Sequence, residues 1–377
     1  MSLNLTHGCP RSVAARVFVL PVLVLAVLAM AAISPGLCAQ QYKQTNLVSD
    51  QSGAAAATDP NLVNPWGMSR SSGSPFWISD NGTGLSTLYT GTGTAESLVV
   101  TIPTGDPTMS STGTPSGTLY NGGTGFVLPN GKPAVFMFVT EDGTISGWNG
   151  GTAAVIAVNT KSASVFKGVA QATIQFPSFG PATWLYVADF RKGRIQVYDS
   201  SFNHIDAMDH QFRDDWIPRG YAPFNIQNIG GDLYVTFAKQ DSAKHDEVDG
   251  AGLGFVDVFS PFGFLLRRMQ HGPWLNGPWA LAMAPGDFGI YSHDLLVGQF
   301  GSGNVAVYDP GTGEFKGLLE DSTNTPIAVS GLWGLSFGSS GTSGPANTLY
   351  FTAGPDSENH GLFGTITPVQ NTLGNSQ

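Results

Sequence analysis

Charge is scarce in this chain: only 12% of its 377 residues are Asp, Glu, Lys or Arg, about half the share of an ordinary soluble domain. That excludes a disordered tail protein, a coiled coil and a helical bundle, which need long charged or Ala/Glu/Lys-rich stretches. Cysteine is scarcer still, with Cys9 and Cys38 the only two. No apolar run after Ile33 is long enough to span a bilayer. No long segment shows a clean helical period. The formal net charge of -10 comes without any basic block, which argues against nucleic acid and anionic membrane surfaces as partners. Gly-x-Ser-x-Gly, His-Glu-x-x-His and the Walker loop are all missing.

What is present is 49 Gly, 24 Pro, 41% apolar residues and 11% aromatics, a composition of short strands joined by tight turns around an ample core. The first residues read differently. Met1 to Arg16 carries Arg11 and Arg16 and no acid, Val17 to Ile33 is apolar, and Ser34-Pro35-Gly36 breaks the run before Leu37-Cys38-Ala39. A basic, then apolar, then small-residue order predicts a secretory signal peptide over 1–39, with a retained anchor as the alternative. Residues 40–377 are then a single exported domain, periplasmic or extracellular. Both cysteines leave with the leader, so no disulfide, thiolate nucleophile or Cys metal site remains.

Short self-similar segments organise the rest. Asn64-Pro65-Trp66-Gly67, Ala222-Pro223-Phe224-Asn225, Gly277-Pro278-Trp279-Ala280 and Gly331-Leu332-Trp333-Gly334 mark unit starts. Weaker starts are expected at Thr124-Gly125-Phe126 and near Lys167-Gly168-Val169. Each start is followed by a strand ending in a polar loop, such as Phe76-Trp77-Ile78-Ser79-Asp80 or Leu185-Tyr186-Val187-Ala188-Asp189. A returning strand then follows a Gly-containing turn, such as Arg194-Ile195-Gln196-Val197-Tyr198. Six such units predict an all-β fold, a six-bladed β-propeller. The last unit stops one strand short, and Tyr42 to Val48 can supply its outer strand and close the ring.

The segment Leu185 to Asp199 resembles the NHL-repeat signature. The wider pattern of Asn64 to Gly67, Tyr221 to Gln227, Lys244-His245-Asp246, Gly331 to Leu335 and Asn347 to Gly354 resembles a family of uncharacterised exported bacterial β-propellers, common in exosortase-containing genomes. The resemblance implies fold and export, and no agreed activity. The exosortase tag itself does not stand at the end of this chain, which favours a soluble product.

In an antiparallel blade, the loop entering the first strand and the loop joining the second and third share one face. On that face the sequence places Asn64 and Asn225 beside strand starts, and Asp80, Glu141, Asp189, Gln240, Asp241, Gln299 and Asp356 at or near second-strand ends. These are the expected ligand-binding residues. Carboxylates and amides around a pore mouth suit a hard cation such as Ca²⁺ or another divalent ion, with Glu141, Asp189, Asn225 and Asp241 as candidate ligands. The blander reading is that such groups cap strand ends and satisfy turns. Between Phe237 and Gly254 the turn swells into a charged loop, where His245 could act as a base oriented by Asp246 or Asp241. His360 lies in the corresponding loop of the last unit. Trp66, Trp279 and Trp333 are expected to serve as packing core rather than as a sugar platform.

The function expected is ligand or partner binding over the polar channel face, by a monomer whose partner is a small molecule, a glycan or a protein. One alternative is a divalent-metal-assisted hydrolase or lyase of the lactonase kind, with its site at the channel mouth. Another is a structural envelope or matrix protein.

Overall fold

The computed structural model describes residues 41–369 except 109, 177 and 179. The signal-peptide reading of 1–39 lies outside them. Two strands come first, β1 (Tyr42–Ser49) and β2 (Ala57–Thr58). The first blade is β3 (Pro65–Ser69), β4 (Phe76–Asp80), β5 (Leu85–Tyr89) and β6 (Val100–Thr101). The second is β7 (Pro115–Tyr120), β8 (Phe136–Thr140), β9 (Thr144–Trp148) and β10 (Val155–Asn159). The third holds only β11 (Phe166–Phe176), β12 (Gly180–Asp189) and β13 (Arg194–Tyr198). The fourth is β14 (Tyr221–Ile229), β15 (Asp232–Lys239), β16 (Phe255–Phe259) and β17 (Leu265–Arg268). The fifth is β18 (Pro278–Met283), β19 (Leu295–Gln299), β20 (Val305–Tyr308) and β21 (Phe315–Leu318). The sixth is β22 (Leu332–Phe337), β23 (Leu349–Ala353) and β24 (Leu362–Pro368), with β1 and β2 outside them.

The innermost strands touch one another in a closed cycle, β3 to β7, β11, β14, β18, β22 and back to β3. This is a six-bladed propeller. β1 pairs antiparallel with β24 from Tyr42↔Pro368 to Ser49↔Leu362, so it closes the last blade, as the strand missing from the sixth unit implies. Closure satisfies the backbone groups that an open edge would leave bare. Among the described residues, helix is confined to two short turns, Asp206–Met208 and Gly289–Tyr291. Among the described residues, no helix is long and apolar enough to cross a membrane.

Apolar side chains from alternate strand positions fill the seams between blades. One cluster joins the fifth and sixth blades around Leu296, Val307, Leu332 and Phe351. Another joins the third and fourth around Tyr186, Ile226, Val235 and Phe259.

Two expectations need correction. The second blade begins at Pro115–Tyr120 rather than at Thr124-Gly125-Phe126. Its start reads Thr114-Pro115-Ser116-Gly117, where Ser116 replaces the aromatic that marks other starts. The third blade has no fourth strand, and the connection from 199 to 220 covers its edge instead. Asp209 is tied there by Arg194 at 2.6 Å, and Asp214 by Nε and Nη2 of Arg268. Those partners come from β13 and β17.

Candidate functional site

Every innermost strand slips register near its start, between Pro65 and Met68, Pro115 and Thr118, Phe166 and Val169, Pro223 and Asn225, Pro278 and Ala280, and Leu332 and Leu335. A bulge takes the residue it contains out of the sheet's strict alternation. At that step stand Trp66, Ser116, Lys167, Phe224, Trp279 and Trp333. The four aromatics meet in one buried cluster. Trp66 stacks on Trp333 with centroids 3.7 Å apart, and Trp279 stands edge-on to the two at 6.2 and 5.9 Å. Phe300 stacks on the other side of the layer against Trp333 at 4.0 Å. The tryptophans therefore pack on one another, not into the seams between blades.

The next residue along each strand is small in five of the six blades: Gly67, Gly117, Gly168, Ala280 and Gly334, with Asn225 the exception. The walls explain this. A Cβ on Gly168 would lie 2.1 Å from Asn225 Oδ1, and one on Gly67 would lie 2.6 Å from the Ser116 carbonyl oxygen.

Lys167 takes the third blade's place in the aromatic ring. Its side chain is completely buried. The ammonium stands 4.6 Å from the centroid of Trp66, an attractive position over the ring's negative face. It pairs with Glu141 Oε1 at 2.5 Å and with Asp246 Oδ1 at 3.4 Å. The second Glu141 oxygen accepts from Asn81 Nδ2 at 2.8 Å. Asn64 Nδ2 donates to Glu358 Oε1 at 3.1 Å, and Trp333 Nε1 donates to Asn64 Oδ1 at 3.1 Å. His245 Nδ1 lies 2.8 Å from Asp246 Oδ1. The 240–250 loop thus reaches the upper channel mouth and binds the buried lysine.

Burial works to lower the Lys167 pKa, but Glu141, Glu247 and Asp246 outweigh it and hold the ammonium above the ordinary lysine value. The His245 hydrogen bond, with Lys167 adding, holds Asp246 down at about 2. The same bond raises His245. Burial pushes Glu247 up to about 8, and raises Asp249 and Glu358 as well. Five carboxyl groups therefore share this mouth with one lysine and one histidine.

The residues expected from sequence divide in two. Asn64, Glu141, His245 and Asp246 come together. Asp80, Asp189 and Gln299 are fully buried within their own blades. Asp80 accepts from the Thr87 amide at 2.9 Å, Asp189 from Gln196 Nε2 at 2.5 Å, and Gln299 Oε1 from the Asn276 amide at 2.8 Å. Burial pushes the Asp80 carboxyl well above the usual range. Asn225 donates to the Trp279 carbonyl at 2.7 Å, and Gln240 to the Phe190 carbonyl. Asp241 accepts from the amides of His245 at 2.8 Å and Asp246 at 3.3 Å, which shapes the loop. His360 sits 2.8 Å from Asp50 and 3.8 Å from the exposed Asp356, tying the last loop to the segment after β1.

The reason is the period of two. Strand-end residues such as Asp80 and Asp189 turn into the blade, and the following residue turns to the mouth. Asn81, Glu141, Phe190 and Phe300 all hold that following position. Sequence reasoning missed Lys167, Asn81, Glu247 and Glu358. Alignment of Lys167-Gly168 with Trp66-Gly67 and Trp333-Gly334 places a lysine in an aromatic ring, a signal that was available.

Among the described residues, Glu141, His245 and Asp246 can offer ligand atoms to one cation, and so can His204, Asp206 and Asp209. Of the four expected metal ligands only Glu141 belongs to either group. The Lys167 ammonium contacts both Glu141 and Asp246, so a metal ion on those oxygens competes with a resident cation.

No family model matches the chain. The uncharacterised protein R648 of Acanthamoeba polyphaga mimivirus is 32% identical over 87% of this chain and 81% of its own length. The uncharacterised protein L690 of the same virus is 30% identical over 87% of this chain and 86% of its own. A structural-genomics protein of unknown function from Bacteroides thetaiotaomicron superposes with a TM-score of 0.52 at 10% identity, covering 87% of this chain and 76% of that one, a likeness of fold alone.

Proposed function

The chain belongs to the family of the mimivirus proteins R648 and L690, and on that premise we propose that it is a ligand-binding propeller whose upper mouth takes a positively charged ligand. The ligand is a divalent cation or an organic amine. One observation carries this reading: Glu247, Asp249 and Glu358 gather beside the Lys167–Glu141–Asp246 cluster, and burial raises all three above the ordinary carboxylate value. An arriving cation favours their ionised forms, lowers their pKa values and takes the place of the proton that Glu247 holds at about 8. The export, monomeric state and bacterial association read from the sequence belong to this proposal.

Isothermal titration with Ca²⁺ and with putrescine, each in two buffers of different ionisation enthalpy at pH 7, tests it. Saturable binding with proton release is expected from at least one probe. Glu247→Gln is expected to weaken that binding about tenfold, the scale of one hydrogen bond to a charged group. No saturable binding of either probe overturns the reading.

A second reading, a hydrolase or lyase, rests on a different feature. Neighbouring carboxyls held at about 2 in Asp246 and about 8 in Glu247 give one ionised and one protonated acid at neutral pH, beside a histidine. Environments that drive two acids apart in this way are how acid and base roles are divided. In this reading a lactone or ester turned over by the protein loses roughly 10²-fold or more in rate with His245→Ala.

A further inference from the structure

Below the aromatic layer the channel opens into a chamber of about 340 Å³. The four aromatics and Lys167 separate it from the upper mouth. Its wall is made by the later residues of all six innermost strands, from Gly67 to Arg70 in the first blade to Gly334 to Ser336 in the sixth. The lining residues farthest along the chain in five of the blades, Arg70, Tyr120, Gln171, Asn228 and Ser336, are partly exposed. The chamber therefore faces solvent at the end opposite the charged mouth.

Its chemistry differs from the mouth's. No carboxylate lines it. Gln171, Gln227 and Asn228 supply amides, and Thr118, Ser69 and Ser336 supply hydroxyls. Arg70 is the one charged lining group, and its Nε and Nη2 already donate to the carbonyls of Phe337 at 2.6 Å and Gly338 at 2.8 Å. Two lining residues carry buried polar atoms without a partner in the chain, the Gln171 Oε1 acceptor and the Trp279 Nε1 donor. A buried group left in that state costs stability that a suitable guest restores. Small residues at the second layer bring the wall back to bare backbone, which makes room for that guest.

We propose that this chamber is a second binding site, for a neutral, hydroxyl-rich molecule the size of a monosaccharide. The volume equals that of about eleven waters, and it lies at the small end of ligand pockets, which run from roughly 300 to 1,000 Å³. Amides and hydroxyls both give and accept hydrogen bonds, as sugar hydroxyls do, and Trp279 adds an indole N–H. A cationic guest meets no carboxylate on the wall, and the Arg70 N–H groups beyond the two given to backbone carbonyls can donate to a sugar hydroxyl as well. The site is independent of the mouth reading, since different residues on the other side of the aromatic layer build it.

The test is saturation-transfer NMR and isothermal titration of the purified protein with D-glucose, D-galactose and D-ribose. At least one is expected to bind saturably with a dissociation constant on the order of millimolar, given how few atoms such a ligand offers. Gln171→Ala and Gln227→Ala are each expected to weaken it about tenfold. Ser336→Trp, at the chamber's solvent end, is expected to abolish it and keeps the proposal testable if an amide variant fails to fold. Two results overturn the proposal: no saturable binding of any of the three sugars up to about 50 mM, or binding that all folded variants retain at full strength. Ca²⁺ and putrescine titrations read the mouth and sugar titrations read the chamber, so either reading can fail alone.

Discussion

Lys167→Met lowers the melting temperature by roughly 4–7 °C, the shift that about 3–5 kcal/mol produces in a domain of this size. The substitution keeps the length and apolar stem of the side chain and removes its charge. Glu141, only 9% exposed, then loses the ammonium at 2.5 Å and keeps only the Asn81 amide. An uncompensated buried carboxylate is what makes breaking such a pair costly. The cation–π contact with Trp66 goes as well. Glu141→Gln in the Lys167→Met background is expected to recover most of the loss, because it removes the stranded charge. Differential scanning calorimetry of the two single variants and the double variant gives the coupling. Equal and additive losses would mean that the pair does not act as a unit.

Deletion of residues 41–49 is expected to cost more, either abolishing the cooperative transition or lowering it by more than about 10 °C. β1 holds β24 through a full strand of pairings, and Tyr42 and Val48 are each 1% exposed. Tyr42 also packs on Phe288 with centroids 5.0 Å apart and donates to the Phe288 carbonyl at 3.0 Å, which reaches the fifth blade. Without β1, the β24 edge is open and the first and sixth blades are left to the contact of β3 with β22 and the packing of Phe76 and Tyr89 on Tyr350 and Phe363. Circular dichroism and light scattering during heating read the outcome. A cooperative melt within a few degrees of the full chain would show that closure contributes little.

The fold was legible because its signals repeat. Trp66, Phe224, Trp279 and Trp333 recur with the same turn before them, and the last unit ran out of chain just where Tyr42 to Val48 was left over. The second blade's start was not legible, since Ser116 carries none of the aromatic signal. The site was half legible. Reading polar residues at strand ends found Glu141 but also Asp80 and Asp189, because a one-residue step decides which side of a strand a group faces. His245 and Asp246 were found because a long charged loop in a charge-poor chain stands out. Lys167 was missed because its role shows only when Lys167-Gly168 is aligned with Trp66-Gly67 and Trp333-Gly334 in distant units, whose bulges bring one lysine into an aromatic ring.

The central claim is that burial at the upper mouth holds the Glu247 carboxyl far above its neighbour Asp246, ready for a cation to displace its proton. Site-resolved ¹³C NMR titration of the Asp and Glu side-chain carboxyls measures it directly. Glu247 is expected to titrate at about 8 and Asp246 at about 2. A folded-state value above the ordinary ~4.3 of an unfolded chain means that the folded protein keeps a proton the unfolded chain gives up. Glu247 therefore makes stability fall as pH rises from about 4 to about 8, and Glu247→Gln removes that fall. Titration of Glu247 in the ordinary carboxylate range, with no difference from Asp246 beyond that of any exposed pair, would contradict the account.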